Sequence, residues 1–160
     1  MKIRSEVPGD EGAIRRVISS AFGQAHEAEL VDALRAAGDL VVSLVADADG
    51  EVCGHVAVPR LKSPPDAAAL APVSVSPHWQ MRGIGTSLVW AALCRAKRLG
   101  IGIVFVVGDP RYYGRFGFSA TTAEPFPSPY AGPHFMAKWL SEARTAPAEV
   151  MFSSAFDELE

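Results

Sequence analysis

Apolar and polar positions alternate along this chain in two rhythms, one of period two and one of helical period. Met1 to Val7 alternates as a short strand does, and Pro8-Gly9-Asp10 stops it and opens a helix. Ile14, Val17, Ile18 and Phe22 then recur at helical spacing. A second helical run begins near His26, with Leu30, Val31 and Leu34 on one side and Gly38 as its C-cap. Leu40 to Ala46 is apolar and β-branched, Asp49-Gly50 is a hairpin turn, and Glu51 to Leu61 returns as the next strand, which makes a meander. Lys62 to Asp66, with Pro64-Pro65, is a loop tip. Leu70 to Val75 resumes as a fourth strand, in which Pro72 has no N–H for the ladder and predicts a bulge or a local break.

The helical rhythm returns from Gly83 to Leu99. Ile84, Leu88, Ala92, Ala96 and Leu99 share one arc, Arg95, Lys97 and Arg98 complement the C-terminal end, and Gly100 closes the helix. Ile103 to Val107 reads as a buried strand. Gly108-Asp109-Pro110 breaks it, Asp109 is placed to cap a helical turn around Arg111 to Phe116, and Gly117-Phe118 starts another strand. Pro125 to Pro133 is a loop within the same unit, and Phe135 to Leu140 and Glu149 to Ser153 each add a strand. Strands followed by strand–helix–strand predict an α+β or α/β class with a central mixed sheet.

Composition narrows this picture. With 160 residues, 17.0 kDa and 49% hydrophobic residues, the chain matches one domain with an ordinary core. Fifteen basic against 18 acidic residues give a net charge of −3, which argues against nucleic acid held by a broad basic surface. Cys53 and Cys94 lie in apolar-rich stretches and read as small buried thiols in a reducing compartment. They form no spaced ligand set with the four histidines, so no metal is expected. Apolar runs such as Ile103 to Val107 fall far short of the ~20 residues a membrane helix needs. Met1 to Pro8 has no signal-peptide core. A soluble, cytoplasmic protein without a membrane partner is the expectation.

The sharpest local feature is Gln80-Met81-Arg82-Gly83-Ile84-Gly85-Thr86, at the start of the long helix. A helix start leaves backbone N–H groups without helical acceptors, and the missing Cβ atoms at Gly83 and Gly85 let an anion come close to them. No Asp or Glu occupies the first turn, where the macrodipole favours one, and Arg82 adds positive charge. The plainer alternative is that the glycines let the helix pack tightly on its strand. Neither G-x-G-x-x-G nor G-x-x-x-x-G-K-[ST] is present.

Gln80 to Gly85 instead spells Q-x-x-G-x-G, directly after Val73-x-Val75-x-Pro77, and Tyr113-Gly114-Arg115-Phe116-Gly117-Phe118 spells Y-x-x-x-G-F. In this order the motifs resemble the GNAT acetyltransferase superfamily over nearly the whole chain. Gly108 to Tyr113 and Ser154-Ala155-Phe156-Asp157 are similar to its YhbS-like branch. The resemblance implies an α+β, three-layer αβα fold whose mixed, mostly antiparallel sheet has splayed fourth and fifth strands. It implies acetyl-CoA as cosubstrate, with pantetheine held by backbone groups of Val73 and Val75. Pyrophosphate would lie on the N–H groups of Arg82, Gly83, Ile84, Gly85 and Thr86, with Gln80 and Arg82 at the mouth.

On the same resemblance, Tyr113 protonates the departing thiolate, with Tyr112 as its adjacent rival. The activity implied is transfer of an acetyl or short acyl group to an amine by direct attack on the thioester. One departure stands out: relatives use a glutamate on the fourth strand as general base, whereas Leu70 to Val75 holds no carboxylate. His26, Glu27, Glu29, His55, His78 and Glu124 remain as candidates, His55 first among them if its ring faces the acceptor cleft. A noncatalytic acyl-CoA-binding or sensing module is the alternative from another class, and an interface built on the Pro125 to Pro133 loop is a third. The amine acceptor is unidentified, and a homodimer is compatible with the sequence.

Overall fold

In the computed structural model, which describes residues 1–159, hydrophobic alternation along the first strands sorts side chains onto two faces. The elements are β1 (Lys2–Ser5), α1 (Glu11–Phe22), α2 (His26–Ala37), β2 (Leu40–Ala48), β3 (Glu51–Pro59), β4 (Ala67–Ala69), β5 (Val73–Val75), α3 (Ile84–Arg98), β6 (Ile103–Val107), α4 (Pro110–Tyr113), α5 (Ala120–Ala123) and β7 (Phe135–Trp139). Val42, Leu44 and Ala46 of β2 pack with Leu88, Val89 and Ala92 of α3. The intervening Val45, with Ala57 of β3, packs with Ile14, Ile18, Ala28 and Val31 of α1 and α2. One sheet with helices on both faces gives the three-layer αβα arrangement. Phe22 and Leu99 continue their helical stripes but lie 44% and 57% exposed, each beside the glycine at which its helix ends.

Strands β1, β2, β3 and β5 form an antiparallel ladder in that order, and β4, β6 and β7 form a second, with β4 and β6 parallel. The expected single strand from Leu70 to Val75 is therefore corrected to two short ones, β4 and β5, that share the flank of β3. The Leu61 amide donates to the Ala67 carbonyl, Ala71 to Ala57, and Ala57 to Pro72. Pro72, having no amide hydrogen, interrupts the run at the expected place. Before it the chain pairs with β6, and after it the chain pairs with β3 alone. The two halves of the sheet thus touch at β4 and diverge at β5, which opens a gap between β5 and β6, the splay expected beside the interrupted fourth strand.

Three further expectations are corrected. Gly117-Phe118 starts no strand: Ser119 makes a single bridge to Ala137, and its hydroxyl then caps α5 by accepting from the Thr122 amide at 3.1 Å. Glu149 to Ser153 contributes only the bridge between Met151 and Ser63. Cys94 is exposed, because α3 turns Leu93 and Ala96 inward and carries Cys94 on the solvent arc, whereas Cys53 is buried. No helix among the described residues is long and apolar enough to cross a membrane.

Candidate active site

The gap between β5 and β6 is lined first by backbone. Pro72 offers its carbonyl to β3, and Ser76 donates its amide to the Cys53 carbonyl. Antiparallel pairing alternates along a strand. Ser74 therefore also faces β3, while Val73 and Val75 turn their N–H and C=O groups to the edge without a strand partner. Gln80 does not stand free at the mouth: its side-chain amide donates to the Val75 carbonyl at 3.0 Å and ties the loop before α3 to this edge.

That loop is shaped by left-handed backbone. Met81 and Gly83 have φ of 66° and 79°, and the Met81 side chain stands fully in solvent. Ser87 is the first residue whose amide reaches back into α3, to the Gly83 carbonyl at 3.1 Å. The N–H groups of Ile84, Gly85 and Thr86 consequently have no helical acceptor, and no side chain caps them. Arg82 lies over the Trp79 ring at 5.0 Å, and Arg115 lies over the Tyr112 ring at 4.7 Å. The Tyr112 hydroxyl in turn sits 3.2 Å from Thr86 Oγ1. Two cations thus flank an uncapped helix start, an arrangement suited to a bound anion. Arg115 was not among the residues singled out from sequence, since nothing in its spacing says that the turn after β6 folds back onto α3.

Asp109 caps α4 as expected, accepting from the Arg111 amide at 2.9 Å. This cap places Tyr112 and Tyr113 at right angles, with ring centroids 5.0 Å apart. Tyr112 meets α3, whereas Tyr113 lies half-buried across Gly108 and beside Phe118. A Cβ built on Gly108 would run into the Tyr113 ring, so only glycine leaves the ring room. Burial, with a smaller contribution from Tyr112, raises the Tyr113 phenol above its ordinary range, and the group stays protonated at neutral pH.

The candidate bases are scattered. His26, Glu29, His78 and Glu124 are exposed, and Glu27 is half-exposed and bonded to Gln24. His55 is wholly buried on the face that α1 and α2 cover, at the centre of a polar line across the sheet. Arg35 grips Glu6 with bonds of 2.8 and 3.0 Å, Ser43 donates to Glu6, and Ser43 Oγ lies 2.8 Å from His55 Nε2. Because Ser43 spends its proton on Glu6, Nε2 carries the imidazole proton and Nδ1 is left as an acceptor without a partner. Burial pushes Glu6 up, but its bonds to Arg35 and Ser43 outweigh this and hold the carboxyl below its usual range.

Burial pushes His55 down to about 4. The folded protein then holds His55 neutral at pH values where the unfolded chain, near 6.5, already takes up a proton. Stability is full above the unfolded value and is lost as pH falls from about 6.5 to about 4, a difference of roughly 3 kcal/mol. Urea unfolding at pH 7.5 and pH 4.5 is expected to show this loss in the wild type and much less of it in His55→Gln. Equal pH dependence in the two proteins would show that His55 is not its source.

Residues 12–118 match the acetyltransferase (GNAT) family. The chain is 36% identical over 126 residues to the uncharacterized N-acetyltransferase YhbS of Escherichia coli K12, covering 74% of this chain and 73% of that protein. It is 33% identical to YjhQ of the same organism, over 86% of this chain and 81% of that one. Among solved structures, E. coli YhbS in complex with CoA superposes with a TM-score of 0.88 at 28% identity, covering 98% and 91% of the two chains. A GNAT acetyltransferase of Brucella melitensis in complex with acetyl-CoA superposes with a TM-score of 0.82 at 34% identity, covering 98% and 97%.

Proposed function

Given that the chain belongs to the GNAT acetyltransferase family, we propose that it moves an acetyl or short acyl group from CoA to a primary amine by direct attack on the thioester. The observation that carries this reading is the shared gap. The free edge of β5 and the uncapped start of α3 open onto it together, at the distance that Gln80 bridges. An extended pantetheine arm would run along Val73 and Val75 like an added strand. The pyrophosphate would rest on the N–H groups from Arg82 through Thr86, with Arg82 and Arg115 neutralising it. Held this way, the thioester is fixed in position and the reaction with the amine becomes effectively unimolecular.

Tyr113 is the proposed proton donor to the departing thiolate. Its ring is fixed over Gly108 at the end of β6, while Tyr112 is already engaged with Thr86 at the anion end. This division favours Tyr113 over its neighbour Tyr112 as the donor. The enzyme needs no metal for this route. A cytoplasmic location fits a reaction that draws on acyl-CoA.

Turnover is the test that separates an enzyme from a module that only binds acyl-CoA. Purified protein with acetyl-CoA and a panel of amines is expected to release free thiol only when an amine is present. Tight acetyl-CoA binding without amine-dependent thiol release across a panel of amino acids, polyamines, arylalkylamines and lysine peptides would favour the sensing module.

A further inference from the structure

Where Ala71 turns away from Val107, a pocket of about 240 Å³ opens between the diverging strand ends. We propose that it receives the apolar body of the amine acceptor, an aromatic or compact aliphatic group of about phenyl size, and that the enzyme's acceptors are arylalkylamine-like rather than polycationic. The proposal rests on the acyltransferase reading and narrows it to a substrate class.

The lining carries the argument. Every side chain around the pocket is apolar except the Tyr130 phenol, and none is charged. Phe105 and Phe135 stack at 5.4 Å on one side. Tyr130, Phe152 and Phe156 form the other, Tyr130 edge-on to Phe152 and Phe152 tilted against Phe156, each pair at 5.3 Å. A cationic chain such as a polyamine would give up its hydration here with no carboxylate in return. An aromatic ring would give up nothing and find faces and edges to pack against. An apolar cavity of about 150 Å³ suffices for benzene, so this one holds a ring with a short linker.

Position supports the same occupant. Phe105 and Phe135 belong to a core cluster on the face turned away from α3, the side opposite the proposed pyrophosphate site. An amine must approach the thioester from the side the pantetheine does not fill. The pocket rim at Val107 is one residue from Gly108, on which Tyr113 rests, so nucleophile and acid would meet at one place. The apolar wall also answers the missing carboxylate of the fourth strand. A desolvated ammonium gives up its proton more readily, here to water at the open pocket mouth, so the pocket favours the neutral, nucleophilic amine.

A second pocket of about 310 Å³, sharing Phe135 but carrying Glu124, is the site a cationic acceptor would choose. The test compares 2-phenylethylamine with putrescine, reading amine-dependent thiol release together with calorimetric binding of each amine to the CoA-loaded protein. We expect kcat/KM for 2-phenylethylamine to exceed that for putrescine by roughly tenfold or more. Tyr130→Ala and Phe156→Ala are expected to raise KM for 2-phenylethylamine about tenfold with acetyl-CoA affinity retained, and Glu124→Gln to change nothing.

Preference for putrescine, lost in Glu124→Gln, would move the acceptor to the second pocket and overturn the proposal. So would a preference for octanoyl-CoA over acetyl-CoA that Phe156→Ala abolishes, which would give the pocket to the acyl chain. A protein that binds acetyl-CoA but neither binds nor acetylates 2-phenylethylamine overturns it as well. Failure to bind acetyl-CoA at all would instead remove the acyltransferase reading beneath it.

Discussion

Gly85→Glu is expected to lose acetyl-CoA affinity on the order of 100-fold while keeping its fold. Gly85 lies within α3 in ordinary helical backbone, and a Cβ there would meet the Tyr112 hydroxyl and Val75 Cγ2 at 3.7 Å each, which is normal contact. The helix therefore tolerates the side chain. What the side chain does is extend between Val75 and Tyr112, into the space in front of the free N–H groups, carrying a charge of the same sign as pyrophosphate. Gly83 is a poorer probe, because its φ of 79° would add backbone strain to any loss of binding. Calorimetry with acetyl-CoA, alongside circular dichroism, checks the result. A folded variant that binds as the wild type does would show that the start of α3 is not the anion site.

Tyr113→Phe should lower turnover by roughly 10²–10⁴ with little change in acetyl-CoA binding. The raised phenol lies above the thiol range, so full proton transfer to a thiolate is uphill and the hydrogen bond carries much of the effect. That places the expected drop near the lower end of the range. Gly108→Ala should mimic part of it by pushing the ring aside, again without loss of affinity. Tyr112→Phe removes the contact with Thr86 and is expected to weaken acetyl-CoA binding rather than turnover. Single-turnover rates with an accepted amine distinguish these variants. A fully active Tyr113→Phe enzyme would leave the thiolate to be protonated by solvent.

Periodicity located α1, α2, α3 and β6 because each carries a stripe or run that only one element can bury, with glycines marking three of the ends. It misplaced the fourth strand because Ala67–Ala69 has little strand propensity of its own and is held by burial and by β6, neither of which shows in local sequence. It missed α5 because Ser119 looks like the continuation of a strand and acts as a cap. The uncapped start of α3 within Gln80 to Thr86 was legible because helix-start chemistry is local, while its part in binding stays a proposal. The roles of Gly108 and Arg115 depend on which ring lies over which backbone, and His55 could be recognised as buried only once three strands had aligned Glu6, Ser43 and the imidazole.

An edge strand with free backbone groups invites pairing with foreign chains, and proteins commonly guard such edges. Here the guard is the shortness of β5 and the residue that follows it. The strand is three residues long and shows the open side only the groups of Val73 and Val75, and Pro77, next in that alternation, has no amide hydrogen to continue the row. A narrow, single-file molecule can use those few groups, whereas a longer β-segment finds little to pair with. The short strand and the proline beyond it therefore keep an open seam in the sheet from becoming a nucleus for self-association.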